Sequence, residues 1–225
     1  MTAPGDELEA KRRWTTRILW VVVASAVAAM VPAALLLASA EALIWQHAAF
    51  VAAFVGLALA GLRALQRLPW IGPVRALQIA YVAMMATSTL ICVLVRLPQA
   101  MVGATFAFII LVTAPRVLDR RRTDRWVAAG ILFALALTAS DFIDIPFRIN
   151  ASAALLQPLE LVIGAAVLVF AALALRELRR FPLQTKLYLV TLLVAVVPLT
   201  VVIGVFRGNF LDYETLSQAH ALERR

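Results

Sequence analysis

A chain of 225 residues that is 63% hydrophobic and only 15% charged has too little polar surface to cover a water-soluble globule, so lipid is the solvent its composition requires. The net charge of +8 would suggest nucleic acid in a soluble protein, but basic loops beside an anionic membrane leaflet account for it, and nucleic acid is not an expected partner. The single cysteine, Cys92, excludes an intramolecular disulfide and cannot build a zinc site alone.

Continuous apolar runs predict seven membrane-spanning helices, at about 18–40, 43–62, 76–95, 99–118, 126–146, 154–176 and 186–206. Each is near the ~20 residues that cross a ~30 Å hydrocarbon core. Runs of this length satisfy their own backbone hydrogen bonds as helices, whereas barrel strands would alternate in polarity every second residue.

The chain opens on a basic arm, 1–17, carrying Lys11, Arg12, Arg13 and Arg17. The first span ends in Ala38-Ser39-Ala40, a sequence like that of a signal-cleavage site. The run from Ile18 to Ala38 nevertheless exceeds the roughly 7–15 residues of a signal core, so it is read as an uncleaved anchor. Between spans two and three, Arg63, Arg67 and Arg75 flank Leu68-Pro69-Trp70-Ile71-Gly72-Pro73, whose prolines cannot continue a helix. Arg96-Leu97-Pro98-Gln99 turns the chain after span three. Arg116, Arg120, Arg121, Arg122 and Arg125 surround a charged loop, 119–124, after span four. Arg148 alone follows span five. Arg176, Arg179, Arg180 and Lys186 follow span six, and Phe181-Pro182 divides a six-helix membrane domain, 18–180, from a seventh helix with a short helical extension, 181–225.

Lys and Arg thus gather in every second gap, and basic residues flanking short loops stay on the cytoplasmic side. The expected fold is all-α: a polytopic seven-transmembrane helical bundle with a cytoplasmic N-terminus and a periplasmic C-terminus. Richness in Ala, Leu, Val and Arg points to a bacterial source, and hence to the inner membrane.

This orientation gathers the ionisable and polar groups near the spans at the outer leaflet. Glu41 and His47 stand at the outer ends of spans one and two, and Arg96 at that of span three. Asp141 and Asp144, three apart and so on one helix face, close span five, and Gln157 and Glu160 lie in the outer turns of span six. Charge inside a membrane is costly, so these residues are either an outward-facing pocket for a small molecule, cation or proton, with Glu160 as its floor, or interfacial groups wetted by headgroups. No two of them have the spacing of a metal motif, and Ser88, Ser140 and Ser152 have no base nearby in sequence. No cofactor, metal site or enzymatic activity is expected. Small residues such as Gly56 and Gly61 read as packing positions.

Leu183-Gln184-Thr185-Lys186-Leu187, followed by an apolar run to Val197-Pro198-Leu199, resembles the first membrane helix of bacterial sensor kinases and related receptors. The resemblance covers 183–225 and implies a periplasmic sensing segment after span seven, with the six earlier spans as an added input module. The function expected from sequence is therefore a non-catalytic membrane input, or sensor, region of a signal-transduction protein. Its partners would be the lipid bilayer and either a second copy of the chain or other membrane subunits. A structural or assembly subunit of a larger membrane complex, and a small transporter using the outer polar cluster, remain as alternatives.

Overall fold

The computed structural model describes residues 4–38, 44–96, 99–140, 143, 148–150, 161–162, 164–166, 168–170 and 172. These are helical apart from one two-residue strand pair and short connections: α1 Pro4–Ala38, α2 Ile44–Leu94, β1 Val95–Arg96, α3 Gln99–Val117, α4 Arg120–Ser140 and β2 Ile149–Asn150. The described residues from 161 to 172, within the predicted sixth span, are helical too. The remainder of span six, span seven and the extension after it lie outside the described residues. Two helices, Gly5–Leu35 and Trp45–Leu94, are long and apolar enough to cross a membrane, and Val102–Val117 is a shorter apolar helix.

α1 starts well before the apolar run that predicts it. Asp6 and Glu7 in its first turn complement the helix dipole, and Glu7 reaches Lys11 at 2.7 Å, four residues on. That hydrogen bond, and then the lysine charge, hold the Glu7 carboxyl below its ordinary range. The pair's small contribution is present at neutral pH and is lost as pH falls through the lowered value.

α2 is the element on which the arrangement turns. A straight helix would separate Phe50 from Leu94 by about 66 Å at 1.5 Å per residue. Instead the two share a buried cluster with Ala29, Ala33, Phe54 and Val95. Leu19, Ala64, Leu68, Ala76 and Ala80 form a second cluster. The chain therefore folds back at Gly72, whose φ of 76° and ψ of 164° interrupt the helix. Glycine reaches that conformation without a Cβ clash, and Pro73 follows as the first residue of the second arm, where a missing N–H costs nothing. The break expected over Leu68–Pro73 is thus confined to one residue, and both arms, 44–71 and 73–94, exceed the length a membrane crossing needs.

α3 and α4 lie against each other closely enough that a Cβ built on Gly103 would come within 2.8 Å of Ala134 Cα and 3.0 Å of its carbonyl oxygen. Gly61 has a similar role against Val23 of α1, while Gly56 faces open space, so only one member of the pair noted in sequence makes a close contact. The charged loop expected over 119–124 is largely helix: α4 begins at Arg120, the Asp119 carbonyl accepts the Thr123 N–H at 2.8 Å, and the Asp119 carboxylate lies 3.3 Å from Arg122. Only Leu118 and Asp119 connect the helices.

Three groups of basic residues that alternate along the sequence meet at one end of this structure. Leu19, just after the basic arm, clusters with Leu68 and Ala76 beside the α2 bend. The arm also shares a recess with the α3–α4 corner, lined by Lys11 and Arg17 on one side and Arg116 and Asp119 on the other. At the opposite end β1 pairs with β2 in parallel, Val95 opposite Ile149 and Arg96 opposite Asn150. Arg148 there donates to the carbonyls of Ile143 at 3.3 Å and Ser140 at 3.2 Å, so this charge ties down the C-terminus of α4.

The contact at Gly103 has a measurable consequence. Gly103→Ala should lower unfolding free energy by about 1–3 kcal/mol, because backbone must give way. Gly56→Ala should be neutral or stabilising by up to about 1 kcal/mol. Denaturation of the detergent-solubilised variants separates the two, and equal effects would contradict the close α3–α4 crossing.

Candidate functional site

Two helical faces define a cavity. On the second arm of α2, Met84, Thr87, Ser88 and Ile91 recur at the one-face helical spacing i, i+3, i+4, i+7. On α3, Val102, Thr105, Phe106 and Ile109 repeat that spacing. α1 contributes Ser25, Ala26 and Ala29, whose small side chains leave unfilled the space that larger residues would occupy. Phe54 and Leu57 of the first α2 arm, and Val162 and Ala166 beyond β2, complete the wall. The cavity is partly open, and its volume is about 150 Å³, a size that holds a single small ring.

The lining is apolar except for hydroxyls. Thr87 Oγ1 donates to the Ala53 carbonyl at 3.5 Å, joining the two arms of α2 at this level. Among the described residues that line the cavity none is titratable. No His, Lys or carboxylate stands beside Ser88 among the described lining residues. What the site can do chemically is hold a small apolar molecule, with a serine or threonine hydroxyl for one polar atom. Among the described residues no group of three or more His, Cys, Asp or Glu stands ready to hold a metal ion.

Two buried polar links position the helices around it. Thr113 Oγ1 donates to the Ile109 carbonyl at 2.6 Å and uses its one proton there, so Tyr81 Oη, at 2.5 Å, is the donor to Thr113. The Tyr81 ring also lies 5.1 Å from that of Trp126, which joins α2, α3 and α4. At the other end Gln99, 0% exposed, donates from Nε2 to the Cys92 carbonyl at 3.3 Å and accepts from the Ser140 hydroxyl at Oε1.

Of the outer polar cluster expected from sequence, the structure describes one side chain and one backbone position. His47, 8% exposed, sits in the first turn of α2 beside Gln46, 1% exposed. Arg96 is placed by its backbone in β1. Glu41, Asp141, Asp144, Gln157 and Glu160 lie outside the described residues. The cavity and the Gln99 and Tyr81 links were not singled out in the sequence. Their signal was present as the repeated i, i+3, i+4, i+7 hydroxyl-bearing faces, but periodicity does not say which faces meet.

Comparison of the chain with protein families, with curated proteins and with solved structures gives no match.

Gln99→Leu should test the link between Cys92 and Ser140. Hydrogen bonds between membrane helices average about 0.6 kcal/mol with a maximum near 1.7. Gln99 is fully buried and serves two partners, so a loss of about 1–2 kcal/mol is expected in thermal or denaturant unfolding. A neutral result would mean that water replaces both bonds.

Proposed function

We propose that the chain is a seven-helix, multi-pass protein of the bacterial inner membrane, with its N-terminus cytoplasmic and its C-terminus periplasmic. Its role is the non-catalytic input region of a signal-transduction protein, receiving a small membrane-soluble molecule. The observation that carries the functional part is the 150 Å³ apolar cavity between α1, both arms of α2 and α3, whose described lining residues are apolar apart from serine and threonine hydroxyls. A binding role fits such a site.

Support for the topology comes from the end at which the basic groups meet, since one basic face is what retention of Lys and Arg in the cytoplasm would produce. The N-terminus of α4 points the same way. Arg120, Arg121 and Arg122 stand at the positive end of its dipole, a placement opposed by about 0.3–1 kcal/mol each. An anionic leaflet attracts each such residue by about 1 kcal/mol, enough to reverse the balance. Signalling further requires that the bound molecule favour one of two helix arrangements, with span seven as the element that moves.

Topology is tested with a reporter enzyme active only in the periplasm. Fusions after Glu41, Leu97, Asn150 and Tyr213 should be active, and those after Trp70, Arg121 and Arg180 silent; the inverse pattern would overturn the orientation. Binding is tested with toluene, whose saturating addition should raise the unfolding midpoint by a few degrees through mass action. Ser88→Leu fills part of the cavity and should remove that shift while keeping the helical signal; an equal shift in both proteins would place the ligand elsewhere. Spin labels at Ala24 and Arg207 should change separation on ligand addition, and an unchanged distance would refute the sensor role while leaving binding intact.

A further inference from the structure

Between the first turns of α1 and the α3–α4 corner lies a recess of about 790 Å³. Lys11, Arg13, Arg17 and Arg116 line it, with Glu7 and Asp119 as the carboxylates among the described lining residues. Both carboxylates are engaged, Glu7 with Lys11 at 2.7 Å and Asp119 with Arg122 at 3.3 Å. Arg13 lies 3.8 Å from Glu9, a long and largely exposed pair, and Arg17 makes no ion pair among the described residues. Among the described residues, Arg17 and the loosely paired Arg13 thus carry positive charge that neither carboxylate of the recess offsets.

A second observation points to a ligand. Trp14, on the recess wall between Arg13 and Arg17, is 7% exposed, and its buried indole Nε1–H has no acceptor among the described residues. A buried donor left unsatisfied is costly, and one beside surplus guanidinium groups matches an oxyanion that accepts several hydrogen bonds at once.

We propose that this recess binds the phosphate of an anionic phospholipid. Guanidinium groups pair with phosphate oxygens in a planar, two-pronged geometry, and the Trp14 N–H supplies a neutral donor once the side chain adjusts to the headgroup. Lipid rather than free phosphate is favoured by what continues from the recess along α1. Arg17 is followed on the same helical face by Trp20, Val27, Val31 and Leu35, all large, apolar and at least half exposed. A phosphate held at Arg17 would lay its acyl chain along that stripe. The proposal rests on the membrane reading and not on the cavity ligand, so it stands or falls separately from the toluene and spin-label results.

The test is native mass spectrometry of the full chain released from detergent in the presence of phosphatidylglycerol, phosphatidylcholine or inorganic phosphate. Phosphatidylglycerol should be retained in preference to phosphatidylcholine, with retention falling as ionic strength rises. Arg13→Gln with Arg17→Gln should weaken retention about tenfold or more. Arg63→Gln with Arg67→Gln, an exposed basic pair elsewhere, should leave it unchanged. Protection of Cys92 from a thiol-reactive dye reports that each variant is folded; if the double variant is not, Trp14→Phe replaces it and should weaken phosphatidylglycerol retention while phosphatidylcholine retention stays constant. Equal retention of the two lipids, or equal loss in the control pair, overturns the proposal. Inorganic phosphate competing at the affinity of phosphatidylglycerol assigns the recess to a free anion and overturns the lipid assignment.

Discussion

The reversal of the chain at Gly72 is the constraint on which the rest of the helical arrangement depends. A backbone with φ of 76° and ψ of 164° admits glycine with little strain, and one such residue converts a 51-residue helix into two antiparallel arms. Because the arms run side by side, residues far apart in sequence, Phe50 and Leu94 at one end and Ala64 and Ala80 at the other, share buried clusters with the same α1 helix. The cavity follows from that arrangement. Its wall uses both arms, and they meet at Thr87 and Ala53 because the bend sets their register.

The described helices α1 to α4 and their order were legible in the sequence because long apolar runs carry a strong signal. Their ends were not. Predicted spans stop where polarity rises, yet Glu7–Lys11 and Asp119–Arg122 show charged turns continuing as helix, sustained by side-chain pairs and by solvent-exposed arginines that need no apolar surroundings. The Leu68–Pro73 break was legible as a break but not as a fold-back centred on one glycine. Two prolines announce that a helix is interrupted, while the angle between the pieces is decided by which faces pack.

Less of the candidate site could be read. Charge draws attention in an apolar sequence, so the ionisable residues expected near one leaflet dominate what the sequence suggests, and of these only the His47 side chain falls within the described residues. The cavity is instead built from alanine, serine and threonine, residues whose contribution is volume left unfilled. A void is a property of several helices together, and no single sequence position marks it. Gln99 illustrates the same limit: it reads as a turn residue after Pro98, yet its amide is the buried junction of three helices.

The short parallel pairing of Val95–Arg96 with Ile149–Asn150 carries a consequence of its own. Two strands that run the same way at the same end of a helical stack can be neighbours only if the chain between them has travelled away and come back, an even number of passes. α3 and α4 are those two passes. The pair is thus a parity lock: it closes the α3–α4 hairpin into a loop fastened at its base, and a chain lacking either helix would deliver its second strand to the wrong end with no partner to meet.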